Sequence, residues 1–296
     1  MITLEALAQL YADHGAELER PVAPVRVSDD VTVGDGHVTI MGTVNLSRDS
    51  TYRESVAVST ASAVRKARTQ VAQGATIVDV GAEASGSDAE RRGPDEQLDL
   101  LLPVVEQLAD EVAVSVETYE PAVVKSVLAA GARMINLTGT EHEEEMLRLV
   151  AEHDASVLMC FSQGDNVRDA EDLPADADLV PVLLDHFGPR LERARSLGVD
   201  RVVIDPGMGF SFPNLSGVAK AKVQLRVLVQ ALRLRELGVP AGHALPHAFD
   251  LFEDEFRKAE GFFAVFAALG GAHLLRVHEV PHIRTVLGAM DALAVR

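Results

Sequence analysis

Short apolar runs rich in Val and Ile recur along the chain, each followed by a longer stretch of helical period. The runs are Val38–Asn45, Ala75–Gly81, Val112–Thr118, Arg133–Thr138, Ala155–Phe161, Arg201–Gly207, Val239–Leu245 and His273–Val277. The first, second, third and sixth are nearly all apolar, the pattern of strands covered on both faces. Between them the spacing predicts helices over Val56–Gln73, Asp95–Ala109, Pro121–Ala130, His142–His153, Leu179–Leu197, Leu225–Leu237, Phe252–Leu269 and Pro281–Ala294. Several have end signals: Pro94 opens one, and Gly74, Gly131, Gly198, Gly238 and Gly270 close others. Strict alternation implies parallel pairing, and eight units favour closure into a ring over an open sheet. The expected fold is therefore an α/β chain of the (β/α)8 TIM-barrel class. Residues 1–20 read as an extra helix and Arg26–Asp35 as a hairpin turning at Gly34–Gly36. The expected division is a 1–37 extension and a 38–296 barrel, with either addition able to plug the barrel floor.

In such a barrel the active site lies at the C-terminal strand ends. Polar residues collect there: Asn45, Ser47, Arg48 and Asp49 after the first strand, Asp79, Glu83 and Ser85 on the second, and Glu117 on the third. Asn136 and Thr138 follow on the fourth, Cys160, Ser162 and Gln163 on the fifth, and Asp205 on the sixth. His243 and His247 belong to the seventh, and Arg276 and His278 to the eighth. A polar group at every strand end implies a polar cavity for a small-molecule substrate. Asp79 also reads as a group that only holds a neighbouring loop, and Cys160 as a small buried hydrophobe rather than a nucleophile. His243 and His247 stand four apart and could be combined with Glu117 or Asp205 into a metal site, but Pro246 argues against the helix such a pair would need.

The 296 residues, 47% of them hydrophobic, suffice for one large core. A formal net charge of -18 disfavours nucleic acid and anionic membrane as partners, since both repel an acidic surface. Lys is scarce beside Arg, and Ala, Val and Asp are abundant, as in proteins coded by GC-rich genomes; a salt-adapted surface is the alternative. The single cysteine allows no intrachain disulfide. No apolar stretch is long enough for a signal core or a membrane span. These features predict a cytoplasmic protein.

Six segments carry a family resemblance. Ile40-Met41-Gly42-Thr43-Val44-Asn45-Leu46-Ser47-Arg48-Asp49-Ser50 resembles I-M-G-[IV]-[LV]-N-V-T-P-D-S-F, the first signature of dihydropteroate synthases. Ile77-Val78-Asp79-Val80-Gly81-Ala82-Glu83-Ala84-Ser85 resembles the second, I-[IV]-D-[VI]-G-G-E-S-T. Ser115-Val116-Glu117-Thr118-Tyr119, the segment from Gly131 to Asn136, Ile204-Asp205-Pro206-Gly207-Met208-Gly209-Phe210 and Arg276-Val277-His278-Glu279-Val280 follow in family order. The resemblance implies a reduced pterin or folate in the barrel mouth, held by Glu117, Asn136 and Asp205 with Phe210 beside them. It further implies that Asn45 helps bind Mg2+ and pyrophosphate, and that Arg276 and His278 form the diphosphate rim, with Asp49 among the catalytic residues. A homodimer is also implied, paired through the late helices; the apolar cluster Phe262, Phe263 and Phe266 fits such an interface and equally fits ordinary barrel-facing core.

The departures shape the functional expectation. Where the family has S-R-K on strand seven, this chain reads Gly242-His243-Ala244-Leu245-Pro246-His247-Ala248-Phe249, with neither Lys nor Arg. The second loop's T-R-P is replaced by Ser85-Gly86-Ser87, and the first loop's T-P-D by Ser47-Arg48-Asp49. Arg48, His243 and His247 are the candidates to restore anion binding. The main expectation is a divergent enzyme that passes a pterin-derived or one-carbon fragment to another acceptor, with weak or absent standard synthase activity. The alternatives are dihydropteroate synthase itself and a pterin-binding paralogue without turnover.

Overall fold

The computed structural model describes residues 2–50, 52–84, 89–165, 172–174, 176–209 and 212–294. Eight parallel strands form a nearly closed barrel: β3 (Thr39–Asn45), β4 (Ile77–Gly81), β5 (Ala113–Glu117), β6 (Met134–Leu137), β7 (Ser156–Cys160), β8 (Val202–Asp205), β9 (Gly242–Ala244) and β10 (Leu274–Val277). Continuous parallel ladders join β8 through β7, β6, β5, β4 and β3 to β10 and then β9. The ring closes between β8 and β9 through one bridge, Ile204 with Ala241, and the Ile204 N–H donates to the Pro240 carbonyl at 3.0 Å.

The helices lie outside this ring. They are α2 (Thr60–Gln73), α3 (Pro94–Leu108), α4 (Pro121–Ala129), α5 (Glu143–Glu152), α6 (Val180–Ser196), α7 (Gly217–Gln230), the single turn α8 (Phe249–Phe252), α9 (Ala259–Leu269) and α10 (Val280–Ala292). Helix α2 shows why the local sequence folds as it does. Ser59 and Ser62 form a reciprocal capping box, and Gly74 ends the helix in the left-handed region at φ 118°. Its buried face carries Ala63, Val64, Ala67 and Gln70. The Gln70 amide donates to the Thr43 carbonyl at 2.9 Å, and a Cβ on Gly42 would stand 2.6 Å from Gln70 Oε1. Glycine at 42 thus lets α2 seat against β3.

Two predicted helices differ from the observed ones. The sixth barrel helix begins at Gly217, eight residues before the expected Leu225, and tightens into a 3-10 stretch over Ala231–Leu237. The segment Phe252–Leu269 is interrupted: Glu253, at φ 47°, starts a 3-10 stretch over Glu253–Lys258 before α9. Within α9, Phe263 is fully buried while Phe262 stays exposed.

Of the two N-terminal additions, the hairpin plugs the floor. Strands β1 (Val25–Arg26) and β2 (Thr32–Val33) pair antiparallel. Val25, Val27 and Val33 pack with the inward-facing Met41, Ile77, Met134, Leu158, Val203 and Leu274. Helix α1 (Leu4–His14) buries no residue. With the floor sealed, the opposite mouth is left for a ligand. Among the described residues no helix is long and apolar enough to cross a membrane.

Candidate active site

A cavity of about 330 Å³ opens at the C-terminal mouth, within the range of small-molecule sites. Asn45, Glu117, Arg276, His247 and His278 line it, together with Tyr52, Lys220, Gln224 and Ala244. Its floor is an ionic network centred on Asp79, which is wholly buried. Arg276 Nε donates to Asp79 Oδ2 at 2.7 Å, and Arg276 Nη2 donates to Glu117 Oε2 at 2.6 Å. Asn136 Nδ2 donates to the same Asp79 Oδ2 at 3.0 Å, and Ser115 Oγ donates to Oδ1 at 2.6 Å. Burial works against the Arg276 charge, but Asp79 and Glu117 outweigh it and hold the guanidinium protonated.

Asn136 and Asp205 are buried and do not line the cavity. Asn136 Oδ1 accepts from the Cys160 thiol at 3.3 Å. Asp205 Oδ1 accepts from the Gly207 N–H at 2.8 Å, and Oδ2 accepts from the Ala244 N–H at 2.9 Å. Burial raises the Asp205 pKa to about 6 against the pull of these amides and of Arg276. The Cys160 thiol is also pushed up by burial, so it is no nucleophile at neutral pH.

Asn45 sits beside the cavity with its amide nitrogen donating to Ser50 Oγ at 3.0 Å and Ser55 Oγ at 2.8 Å. That orientation leaves Oδ1 as a neutral oxygen donor, the type of ligand Mg2+ takes beside substrate phosphates. The residues present therefore fit the ion.

At the rim, His278 Nδ1 lies 2.8 Å from Glu260 Oε1 and 3.0 Å from His247 Nε2. Tyr52 stacks on His278 with ring centres 4.3 Å apart.

The sequence-predicted residues thus separate. Asn45, Glu117, Arg276, His247 and His278 meet at the cavity; Asn136 and Asp205 lie beneath it. Arg48 and Asp49 are exposed on the loop after β3 and are not part of the lining, and Asp49 Oδ2 accepts the Glu90 N–H. His243 is the clearest difference from expectation. It is fully buried on β9, outside the lining, and burial lowers its pKa to about 3. A neutral, enclosed imidazole offers no charge to an anion in the cavity. Phe210 and the second-loop segment Ser85-Gly86-Ser87 lie outside the described residues.

Asp79, one of the polar strand-end residues that also reads as a loop holder, anchors the floor. Tyr52, Lys220 and Glu260 were not anticipated. Glu260 had a signal, as the one acidic residue inside the apolar stretch Ala259–Leu269. Lys220 and Tyr52 had none that separates them from surface and core residues.

A family model described as pterin binding enzyme matches residues 41–278. The chain belongs to this pterin-binding family. Its relatives are dihydropteroate synthases, including one from Synechocystis, 28% identical over 266 residues that cover 86% of this chain and 89% of the relative. A probable bifunctional folylpolyglutamate synthase/dihydropteroate synthase from Haloferax volcanii is 32% identical over 96% of this chain, which spans 34% of that longer protein. The solved structure of a Xanthomonas albilineans dihydropteroate synthase with 4-aminobenzoic acid superposes with a TM-score of 0.78 at 26% identity, covering 93% of this chain and all of that one. The stretch Gly242–Phe249, where the family resemblance implies a strand-seven Lys, holds neither Lys nor Arg. Besides Arg276, Lys220 on α7 reaches the cavity.

Proposed function

We propose that the protein is a dihydropteroate synthase, joining 6-hydroxymethyl-7,8-dihydropterin diphosphate to p-aminobenzoate with release of pyrophosphate. The observation that carries this is a cavity with Glu117, Arg276, Asn45 and Lys220 at the mouth of a barrel that aligns nearly end to end with synthases. It favours the synthase over the divergent transferase expected from the missing Lys, because Lys220 offers a replacement charge from a different element.

In this reading Arg276 gives up its bond to Glu117 as the pterin enters, which opens the way to Asn136 and Asp205. Carboxylates suit the paired N–H donors of the pterin edge, and Asn136 supplies both a donor and an acceptor. The bond from the exocyclic methylene to the diphosphate oxygen breaks, and the aminobenzoate nitrogen bonds to that carbon and gives up a proton. Arg276 and Lys220 hold positive charge near the leaving diphosphate before it departs, so little reorganisation is needed in the transition state. Asn45 Oδ1 would hold Mg2+, whose contribution when bound is to neutralise the diphosphate. The assay uses purified protein, the pterin diphosphate, p-aminobenzoate and Mg2+, with pyrophosphate release and dihydropteroate both followed. Turnover of about 1 s⁻¹ or more is expected. Pyrophosphate released only with a different amine would return the protein to the divergent reading.

The Asp205 carboxyl gives a pH signature. A pterin donating N–H groups binds its ionised form, and in the free protein that form is lost as pH falls through about 6. Pterin affinity should therefore be level above that pH and fall about tenfold per unit below it. Asp205→Asn should weaken binding by about 1.5–3 kcal/mol at neutral pH and flatten the profile. Calorimetry across pH on both proteins checks this, and an unchanged profile in the variant would remove Asp205 from the grip.

A further inference from the structure

We propose that His247, His278 and Glu260 form a binding site for one divalent transition-metal ion of the zinc class at the rim of the cavity. The three potential ligand atoms converge: His278 Nδ1 to Glu260 Oε1 is 2.8 Å, His247 Nε2 to His278 Nδ1 is 3.0 Å, and His247 Nε2 to Glu260 Oε1 is 3.6 Å. Ligands bonded to a tetrahedral zinc ion at about 2.0–2.2 Å lie roughly 3.3 Å from one another. The observed edges bracket that value, so an ion fits with shifts of a few tenths of an ångström.

Proton accounting points the same way. A proton on His278 Nδ1 serves the short edge to Glu260, but a second proton on His247 Nε2 would then face the first across 3.0 Å. Without it, His247 turns a lone pair on a donor that Glu260 already occupies. One ion at the centre engages all three lone pairs at once.

The site is also held in place without a metal. Glu260 is wholly buried, and its carboxylate accepts the backbone N–H of His278 at 3.0 Å and of Glu279 at 2.9 Å. Tyr52 stacks on His278, and Phe249 lies nearly parallel to the His247 ring with centres 5.3 Å apart. Such outer contacts fix ligand orientation before an ion arrives. Two imidazoles and one carboxylate select zinc-like ions over Mg2+, which prefers all-oxygen sites such as the one at Asn45. His247 and His278 line the cavity while Glu260 closes the protein side. Three protein ligands then leave the fourth position toward the cavity, where an anionic oxygen of a bound ligand completes the coordination. Zinc paired with one carboxylate carries a net positive charge into a rim where the stretch Gly242–Phe249 holds neither Lys nor Arg.

The test reads metal binding directly and does not depend on which reaction the cavity performs. Protein stripped with EDTA is titrated with zinc against a chromophoric indicator, and in parallel with Co2+ followed by visible absorption. One zinc per chain with a Kd of ~1 µM or tighter is expected, together with the intense d–d bands of four-coordinate Co2+. His247→Ala, on a partly exposed side chain, should weaken zinc binding at least about a hundredfold. The surface variant His142→Ala should leave it unchanged. Thermal unfolding of the metal-free proteins confirms that the variant is folded, and His247→Gln serves if His247→Ala is not. Absence of stoichiometric zinc in the parent protein, or equal zinc binding in a folded His247 variant, overturns the proposal.

Discussion

Asp79→Ala is expected to lower folding stability by about 3–5 kcal/mol, because it strands a buried guanidinium. Asp79 is fully enclosed and receives Arg276, Asn136 and Ser115 together. Removing it leaves Arg276 with Glu117 alone and Asn136 Nδ2 without its acceptor. Asp79→Asn keeps the shape but not the charge, and its loss should be smaller, about 1–3 kcal/mol. Turnover in either variant should fall at least ~10²-fold, since Arg276 is aimed through this carboxylate. Urea unfolding followed by far-UV circular dichroism measures the stability term. A loss below about 1 kcal/mol in Asp79→Ala would mean that the floor network is not what holds the mouth in shape.

Lys220→Met should separate catalysis from folding. Burial holds the Lys220 pKa below its ordinary value, with Asp250 opposing that shift. Met has a similar length and no charge, so the packing of α7 survives. If Lys220 supplies the cation that strand seven lacks, kcat/KM should drop by about 10²–10³, the usual effect of losing one preorganised contact to developing charge. Stability should be unchanged or slightly higher, as an ammonium no longer has to be desolvated. Steady-state kinetics beside a thermal unfolding curve test both halves. Activity within about threefold of the parent would remove Lys220 from the mechanism and reopen the question of what replaces the strand-seven Lys.

The barrel was legible because its signals are local. Each strand is a short apolar run, and helices such as α2 carry their own caps at Ser59 and Gly74. The start of helix α7 is hidden in the sequence because Gly217–Gln224 alternates small apolar and Lys residues, a pattern closer to period two than to helical period. The break inside Phe252–Leu269 was hidden because Glu253 adopts a left-handed backbone that its residue type does not advertise. The strand-end residues Asn45, Glu117 and Arg276 could be read as neighbours because barrel topology brings strand ends together. How they pair could not. The contact between Glu117 and Arg276 spans 159 positions, and nothing in either motif says that the Arg lies across the pocket floor. Tyr52, Lys220 and Glu260 come from a loop and two helices, elements whose reach into the mouth depends on packing angles that periodicity does not encode.

The seam between β8 and β9 bears on how this chain could drift from its relatives. Strand β9 has three residues, a ladder on one side and a single bridge on the other. A strand so lightly stitched contributes little of the ring's hydrogen-bonded cohesion, and it is held instead by packing, with His243 fully buried. The stretch Gly242–Phe249, which holds neither Lys nor Arg, begins on this strand. What stitches the top of the seam is Asp205, whose Oδ2 takes the Ala244 N–H that a neighbouring strand carbonyl would otherwise accept. That bond needs only the backbone of residue 244. Any residue but proline can supply that N–H at position 244, whereas the bond needs a carboxylate at position 205, which has far less room to vary.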